Sequence, residues 1–384
     1  MSAPPSDALR TELLAVIAAG TGAALPDDAF DRLARAVFAH QFACNRPYRL
    51  FCERRGASPE MVAHWTGIPA VPTDAFKAAA LVCGDPAEVE AAAQAGDEDR
   101  SAAVFRTSGT TLGAGQRGTH YVPDLSLYDA ALRAGFAAHL LPEGAPMRIV
   151  SLVPRPEEAP DSSLSHMAGA VAADFGTAAS GWYVSPAGGI DAEALETALR
   201  DAEAAGEPVC ILGTAFALVH WLDALREAGT RVRLPAGSRL MDTGGFKGRS
   251  REVTREELYG AVEELMGIPH AWCVNEYGMT EMSSQFYDGV AGSAPPVAER
   301  LHAGPPWVRT HATDPETLRP LPHGEAGVLR HLDLANLHSV AAIQTADLGV
   351  TSPGGFRLLG RAQGAEARGC SLAMDELLTA LGRR

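Results

Sequence analysis

Val104-Phe105-Arg106-Thr107-Ser108-Gly109-Thr110-Thr111-Leu112-Gly113-Ala114-Gly115-Gln116-Arg117-Gly118-Thr119-His120 is the stretch on which the fold turns. A short apolar run leads into hydroxyl side chains and then glycines. Glycine lets backbone N–H groups converge on an anion, and serine and threonine hydroxyls add donors, which suits a triphosphate. Two motif patterns compete for the segment. Gly113-x-Gly115-x-x-Gly118 fits the dinucleotide signature, but that signature needs a helix opening at the glycines. His120-Tyr121-Val122-Pro123 intervenes, so the match reads as a decoy and the next helix is expected near Asp124. A Walker A loop needs a lysine, and none is present. A plain surface loop is the remaining alternative.

Downstream of this stretch, short apolar runs alternate with helical periodicity. The runs are Met147–Val153, Val209–Leu212, Arg239–Met241 and Ala271–Val274, with helices expected near 124–140, 164–175, 191–205, 215–228 and 254–266. That alternation predicts an α/β sheet with helices on its faces. Upstream the pattern is helical. Ser6-Asp7 opens a helix through about Ala19, and Asp27-Asp28 caps a second with Phe30, Leu33, Val37 and Phe38 on one stripe. Pro47 and Pro59 open two more, and Ile68-Pro69-Ala70-Val71-Pro72-Thr73-Asp74-Ala75-Phe76 is extended because residues before proline avoid the helical region. After about residue 290 come short β runs, Gly327–Leu332, Val340–Thr345 and Gly355–Leu359, and then a last helix, Leu372–Leu381. The expected organisation is a helical segment over 1–100, an α/β nucleotide-binding core over 101–290, a β-rich subdomain over 291–361 and a C-terminal remnant over 362–384.

Composition narrows the function classes. The chain has 384 residues, 46% of them hydrophobic, and a formal net charge of -15. An acidic chain repels phosphate backbones, which argues against general nucleic-acid binding. No run of about 18 apolar residues is present, so no membrane span is expected. The six cysteines form no CxxC pair and read as reduced core residues of a cytoplasmic protein. The basic residues are almost all arginine, and Lys77 and Lys247 are the only lysines.

A second constellation is Asn275-Glu276-Tyr277-Gly278-Met279-Thr280-Glu281, which follows the apolar run Ala271–Val274. The polar end of a strand is where α/β folds place ligand contacts. Glu281 offers carboxylate oxygen to a hard divalent cation, Thr280 a hydroxyl to a phosphate, and Tyr277 an aromatic face. An ordinary Tyr-Gly turn with an exposed glutamate explains the same residues as well.

Taken together, these segments resemble the adenylate-forming superfamily of acyl-CoA ligases, peptide-synthetase adenylation domains and luciferases. Thr107-Ser108-Gly109-Thr110-Thr111 is similar to its phosphate loop, and Tyr277-Gly278-Met279-Thr280-Glu281 to its YGxTE motif. Thr345-Ala346-Asp347 resembles its TGD motif with alanine for glycine, and Gly360-Arg361 followed by Gly369 its hinge region. Within that superfamily, Ile68–Lys77, Gly244-Gly245-Phe246-Lys247 and Arg368-Gly369-Cys370-Ser371 resemble the compact LuxE-type acyl-protein synthetases. The resemblance implies ATP and Mg2+ as cofactors and a carboxylic acid, fatty or aryl, as substrate. It implies attack of the carboxylate on the α-phosphorus, giving acyl-adenylate and pyrophosphate, then transfer to an acceptor thiol, amine or hydroxyl, with an acceptor protein as a possible partner. It implies that Thr107, Ser108, Gly109, Thr110 and Thr111 cradle the β- and γ-phosphates, and that Thr280 meets the α-phosphate. Glu281 would hold magnesium, Tyr277, Gly278 and Gly245 would line the adenine side, and Asp347 with Arg361 would bind the ribose. His166, in Ser163-Leu164-Ser165-His166, resembles the residue that borders the acyl pocket, although a capped core histidine fits it too.

The chain departs from the superfamily in its basic residues. Only 23 residues follow Arg361 and none of them is lysine. The mobile C-terminal domain is therefore expected to be absent or vestigial, so that adenylation either runs without its catalytic lysine or uses Lys247, Lys77 or an arginine instead. Arg117 stands near the phosphate loop in place of the lysine that larger ligases carry there. Lys247 is favoured because it follows Gly244-Gly245. LuxE-type enzymes are thought to pass the acyl group through a C-terminal cysteine, which points to Cys370, two residues from Arg368. Two other classes stay in view: a nicotinamide-dependent oxidoreductase read from the GxGxxG match, and a catalytically silent homologue that only binds a partner.

Overall fold

In the computed structural model, residues 6–94, 101–107, 117–185, 189–244, 253–362 and 368–382 are described. They fall into two compact units assembled from discontinuous stretches of chain. One comprises Met1–Ala134, Met279–Gln285 and Gly304–Arg384, and the other Gly135–Gly278 and Phe286–Ala303. The sequence reading gave contiguous segments instead, since local periodicity carries no record of where the chain leaves a unit and returns.

The second unit is built on a sheet ordered Phe286–Tyr287, Cys273–Tyr277, Arg239–Thr243, Val209–Thr214, Arg148–Leu152 and Gly181–Trp182. All neighbours are parallel except the Phe286–Tyr287 edge. Successive strand residues are apolar on both faces. Val209, Ile211, Leu240 and Cys273 pack with Leu199, Leu222, Leu258 and Leu265 from helices on one side. Cys210, Leu212, Met241 and Val274 pack with Phe136, Leu140, Met167 and Val171 on the other. Burial of both faces is what a parallel sheet with crossover helices requires, and it explains why the strands read as continuous apolar runs.

The helices begin where the sequence places caps. Ser162, Asp191, Thr214 and Thr254 each accept a hydrogen bond from a first-turn N–H, and Thr254 with Glu257 completes a reciprocal capping box. The Ala192–Ala205 and Arg255–Met266 helices end at Gly206 and Gly267, whose φ of 67° and 74° are left-handed and favour glycine.

In the first unit, Val71–Pro72, Ala342–Ser352, Ala326–Asp333 and Val308–Thr313 form one sheet, and Gly355–Arg361 also pairs with Ala342–Ser352. Of the extended segment expected over Ile68–Phe76, Val71–Pro72 is that edge strand, parallel to Ala342–Ser352 with Val71 opposite Ile343. Thr73 and Asp74 instead turn, and Ala75–Phe76 open the short helix Ala75–Ala78. The helices Ser6–Ala18, Asp27–Cys44, Arg46–Arg54 and Arg368–Ala380 belong to the same unit. Two helix expectations are corrected. Pro59 opens a turn and not a helix: Met61 is 70% exposed while the next residue, Val62, is buried, so no helical apolar stripe forms. The residue that caps the second helix is Pro26, without a side-chain bond, while Asp27 and Asp28 sit in its first turn where negative charge suits the dipole.

The cysteine expectation holds in part. Cys52, Cys210 and Cys273 are free and buried, and burial raises all three thiols, Cys52 and Cys210 to about 12. Cys44 and Cys83, by contrast, are joined as a disulfide with Cα atoms 4.8 Å apart, which overturns the reading of a fully reduced set. A 39-residue separation in sequence hid that approach.

Candidate functional site

Ala103–Arg106 and Thr119–Val122 pair as an antiparallel hairpin, with Arg106 opposite Thr119. A hairpin, not a strand feeding a helix, flanks the glycine-rich stretch, and the next helix starts only at Ser126. The dinucleotide reading therefore fails on topology. Thr107 closes the base of the hairpin loop: its N–H donates to Gly118 O at 2.9 Å, and its hydroxyl accepts from Gly118 N–H at 2.8 Å. Arg117 donates to the carbonyl oxygens of Thr107 and Arg106, so its guanidinium serves the loop base. Ser108, Gly109, Thr110 and Thr111 lie outside the described residues, as do Gly245 and Lys247.

Tyr277 ends the last long strand of the second unit's sheet. Its ring is buried, with Phe286 and His302 at centroid distances of 5.8 Å each, and Gly278 beside it is exposed. Below it in the same unit lies a group of buried carboxyls. Thr243 donates to Glu276, while Tyr259 and Asn275 donate to Asp242 at 2.6 and 2.7 Å. Burial pushes Glu276 up to about 7 and Asp288 up to about 6, in the latter case outweighing the guanidinium of Arg300 at 3.5 Å, and raises Asp242 as well. His166 lies half-buried in the first turn of the Ser163–Phe175 helix, also in the second unit.

The chain crosses into the first unit at Met279. There the turn carrying Thr280 and Glu281 is held by a buried polar network. Asp333 accepts from the N–H groups of Ser283 and Ser284 at 3.0 and 2.8 Å and from the Ser284 hydroxyl at 2.8 Å. Trp307 Nε1 donates to the same hydroxyl at 3.0 Å. Asn336 donates to Glu281 O at 2.9 Å and to Val340 O at 2.8 Å, which orients its Oδ1 toward His120 Nε2 at 3.0 Å. His120 Nδ1–H donates to Thr280 O at 2.7 Å. Burial lowers the imidazole to about 4, so the ring is neutral near pH 7 and donates to one acceptor at a time; the Thr280 contact is the shorter. His120, Asp333, Asn336 and Trp307 are supporting residues that motif spacing alone did not single out.

The Glu281 carboxyl is itself buried, which raises it to about 7 against the opposing influence of a hydrogen bond from its own backbone first, then of Arg361 and Lys77. Lys77 Nζ lies 2.6 Å from Asp74 Oδ1, so the Ile68–Lys77 segment brings a cation and a carboxylate into the surroundings of Glu281. Asp347 and Arg361 stand opposite each other on paired strands, with Arg361 Nε 3.4 Å from Asp347 Oδ1. Thr107, Thr280, Glu281, Asp347 and Arg361 all belong to the first unit; Tyr277, Gly278 and His166 belong to the second. Cys370 is in the first turn of the Arg368–Ala380 helix, where Gly369 N–H donates to Pro315 O at 2.8 Å. A Cβ on Gly369 would meet that oxygen at 2.7 Å, so glycine is needed there for close approach. A cavity of about 250 Å³ in the first unit is lined by Arg55, Ile68, Pro69, Thr317, Arg330 and Gln344 among others, and none of the expected site residues lines it.

The family model described as acyl-protein synthetase, LuxE, matches residues 27–379. The chain is similar to a long-chain-fatty-acid–luciferin-component ligase of Vibrio harveyi, 24% identical over 362 residues, covering 91% of this chain and 88% of that protein. A ligase of the same name from Aliivibrio fischeri is 23% identical over 183 residues, 44% of this chain and 46% of that one. Among solved structures, 2-hydroxyisobutyryl-CoA ligase in complex with 2-HIB-AMP and CoA superposes with a TM-score of 0.61 at 16% identity, over 88% of this chain and 69% of that one. The likeness shows the expected α/β fold of the adenylate-forming superfamily. No helix among the described residues is long and apolar enough to cross a membrane.

Proposed function

The chain belongs to the LuxE acyl-protein synthetase family and is a ligase of the adenylate-forming kind, and from that premise we propose that it uses ATP and Mg2+ to activate a fatty or aryl carboxylic acid and passes the acyl group to a thiol, amine or hydroxyl acceptor. The relatives' name favours a long-chain fatty acid as the first substrate to test and a protein as the first acceptor. The observation that carries this reading is the buried Glu281 carboxyl, set beside Thr280 in the first unit and opposed by Arg361 and Lys77.

Thr107, Ser108, Gly109, Thr110 and Thr111 cradle the β- and γ-phosphates through hydroxyl and backbone donors. Thr280 donates to the α-phosphate, and the His120 and Asn336 contacts fix its turn. A hard cation takes carboxylate oxygen, so the Glu281 side chain fits Mg2+, which would neutralise phosphate charge during displacement. A carboxyl raised by burial is the kind that a cation ionises. Asp347 accepts from the ribose hydroxyls and Arg361 orients it, while Tyr277, Gly278 and Gly245 line the adenine side. His166 borders the acid. Lys247 supplies the cation that the C-terminal lysine supplies elsewhere, with Lys77 as the second candidate because its influence reaches Glu281. Catalysis then rests on orientation and charge neutralisation. Cys370 takes the acyl group from the adenylate, its thiolate attacking the carbonyl carbon and AMP leaving.

Carboxylate-dependent ATP–pyrophosphate exchange over a panel of fatty and aryl acids tests the proposal. Exchange with at least one acid supports it. A folded protein with no exchange across the panel would overturn it in favour of a homologue that only binds a partner.

A further inference from the structure

Outside the nucleotide side of the first unit, one cluster of soft ligands stands apart. His40 and Cys44 lie one turn apart on the Asp27–Cys44 helix, and the i,i+4 spacing puts both on one face. Cys83 approaches from the segment after the Ala75–Ala78 helix, where its N–H donates to His338 O at 2.8 Å. One nitrogen of His40 and the two sulfurs lie within 4.8 Å of one another, and His40 Nε2 is 3.5 Å from Cys44 Sγ. All three residues are partly exposed, so an ion from solvent reaches them. A disulfide needs no imidazole beside it, and the ring is placed as a ligand would be. The His338 ring lies edge-on to the His40 ring at 5.8 Å and stands outside the cluster of ligand atoms.

We propose that His40, Cys44 and Cys83 form a binding site for a soft divalent cation of the zinc type, open when the two cysteines are in their dithiol state. One imidazole nitrogen and two thiolate sulfurs are the donor set that zinc takes, with a water in the remaining tetrahedral position. The disulfide and the cation are alternatives. A dithiol reductant gives two electrons and two protons to the Cys44–Cys83 bond and becomes a disulfide itself. The cation then displaces the two thiol protons, and two sulfur–metal bonds replace the sulfur–sulfur bond. In either state the end of the Asp27–Cys44 helix stays tied to the segment around Cys83.

The full chain is reduced with dithiothreitol, desalted without oxygen and titrated with Co2+, then with Zn2+. One equivalent of cobalt with thiolate-to-metal charge-transfer absorption and tetrahedral visible bands, bleached by zinc, is the expected result. The oxidised protein binds none. Cys83→Ser and His40→Ala weaken cobalt binding at least about tenfold. Reduced wild type that takes up no stoichiometric cobalt overturns the proposal without any variant, and so does a folded Cys44→Ser/Cys83→Ser protein that keeps the charge-transfer band.

Discussion

Asp347 and Arg361 are direct cross-strand neighbours, and their side chains meet at 3.4 Å with Arg361 53% exposed. An ion pair so open to water contributes only about 0–1 kcal/mol to folding. Stability gives little reason to hold this geometry, whereas a ribose that must be gripped through an oriented carboxylate does. Arg361→Ala and Asp347→Ala are therefore expected to leave the melting temperature nearly unchanged and to lower pyrophosphate exchange at least about tenfold, or roughly 1.4 kcal/mol of activation free energy. Wild-type exchange in both variants would remove the ribose role.

Glu281 is tested by its cation. Glu281→Gln keeps the shape of the side chain and removes the charge that a hard ion requires. The variant is expected to need much more Mg2+ for the same exchange rate, with the acid's KM nearly constant. A magnesium titration identical to wild type would show that another oxygen ligand does this work.

The two lysines separate by pH. Lys247→Ala is expected to lower exchange at least about tenfold at every pH, and unchanged pyrophosphate release would reject its role. Lys77 helps hold Glu281 ionised, so Lys77→Ala is expected to weaken exchange at pH 7 and to recover toward pH 9. Failure to recover would mean that Lys77 acts on the substrate and not through Glu281.

Stability should fall as the medium becomes alkaline. Glu276 rises from an ordinary 4.5 to about 7 and Asp288 from 3.8 to about 6, both through burial, and Asp242 moves the same way. The folded second unit thus keeps protons that the unfolded chain has already released. That contribution is full below the unfolded values and is lost as pH rises through the folded ones. Burial lowers His302, His311 and His331 to about 3 and His120 to about 4, and these act in the opposite sense below about pH 6.5. The urea midpoint of wild type is therefore expected to drop between about pH 6.5 and 8, and Glu276→Gln to drop less. Equal slopes in the two proteins would place the proton uptake elsewhere.

Cys370 predicts a covalent species. Incubation with acid and ATP should add the acyl mass to the chain, and hydroxylamine should remove it. A Cys370→Ser protein that carries the same adduct and turns over normally would defeat the role.

The sheet of the second unit was legible because its strands are apolar on both faces and its helices carry caps, so period and punctuation agree. Val308–Thr313 escaped because Arg309, Thr310 and His311 break the apolar run. The hydroxyl- and glycine-rich stretch after Arg106 and the Tyr277–Glu281 motif stand out in the sequence by composition and resemblance. The supports of the Thr280–Glu281 turn could not be read, since His120, Asp333 and Asn336 reach it across 49 to 160 residues of chain. Lys77 was visible as a scarce residue, but its bearing on Glu281 depends on packing of segments about two hundred residues apart. The Cys44–Cys83 pair was hidden for the same reason.

The boundary between the two units falls between Gly278 and Met279, inside the motif itself. Tyr277 and Thr280 are three residues apart in the chain, yet Tyr277 ends a strand of the second unit's sheet while the Thr280 turn is held by the polar network of the first. Exchanging Gly135–Ala303 as one stretch of gene would therefore carry Met279–Gln285 of the first unit along with the second. An exchange confined to the second unit must change Gly135–Gly278 and Phe286–Ala303 together and leave the seven residues between them untouched.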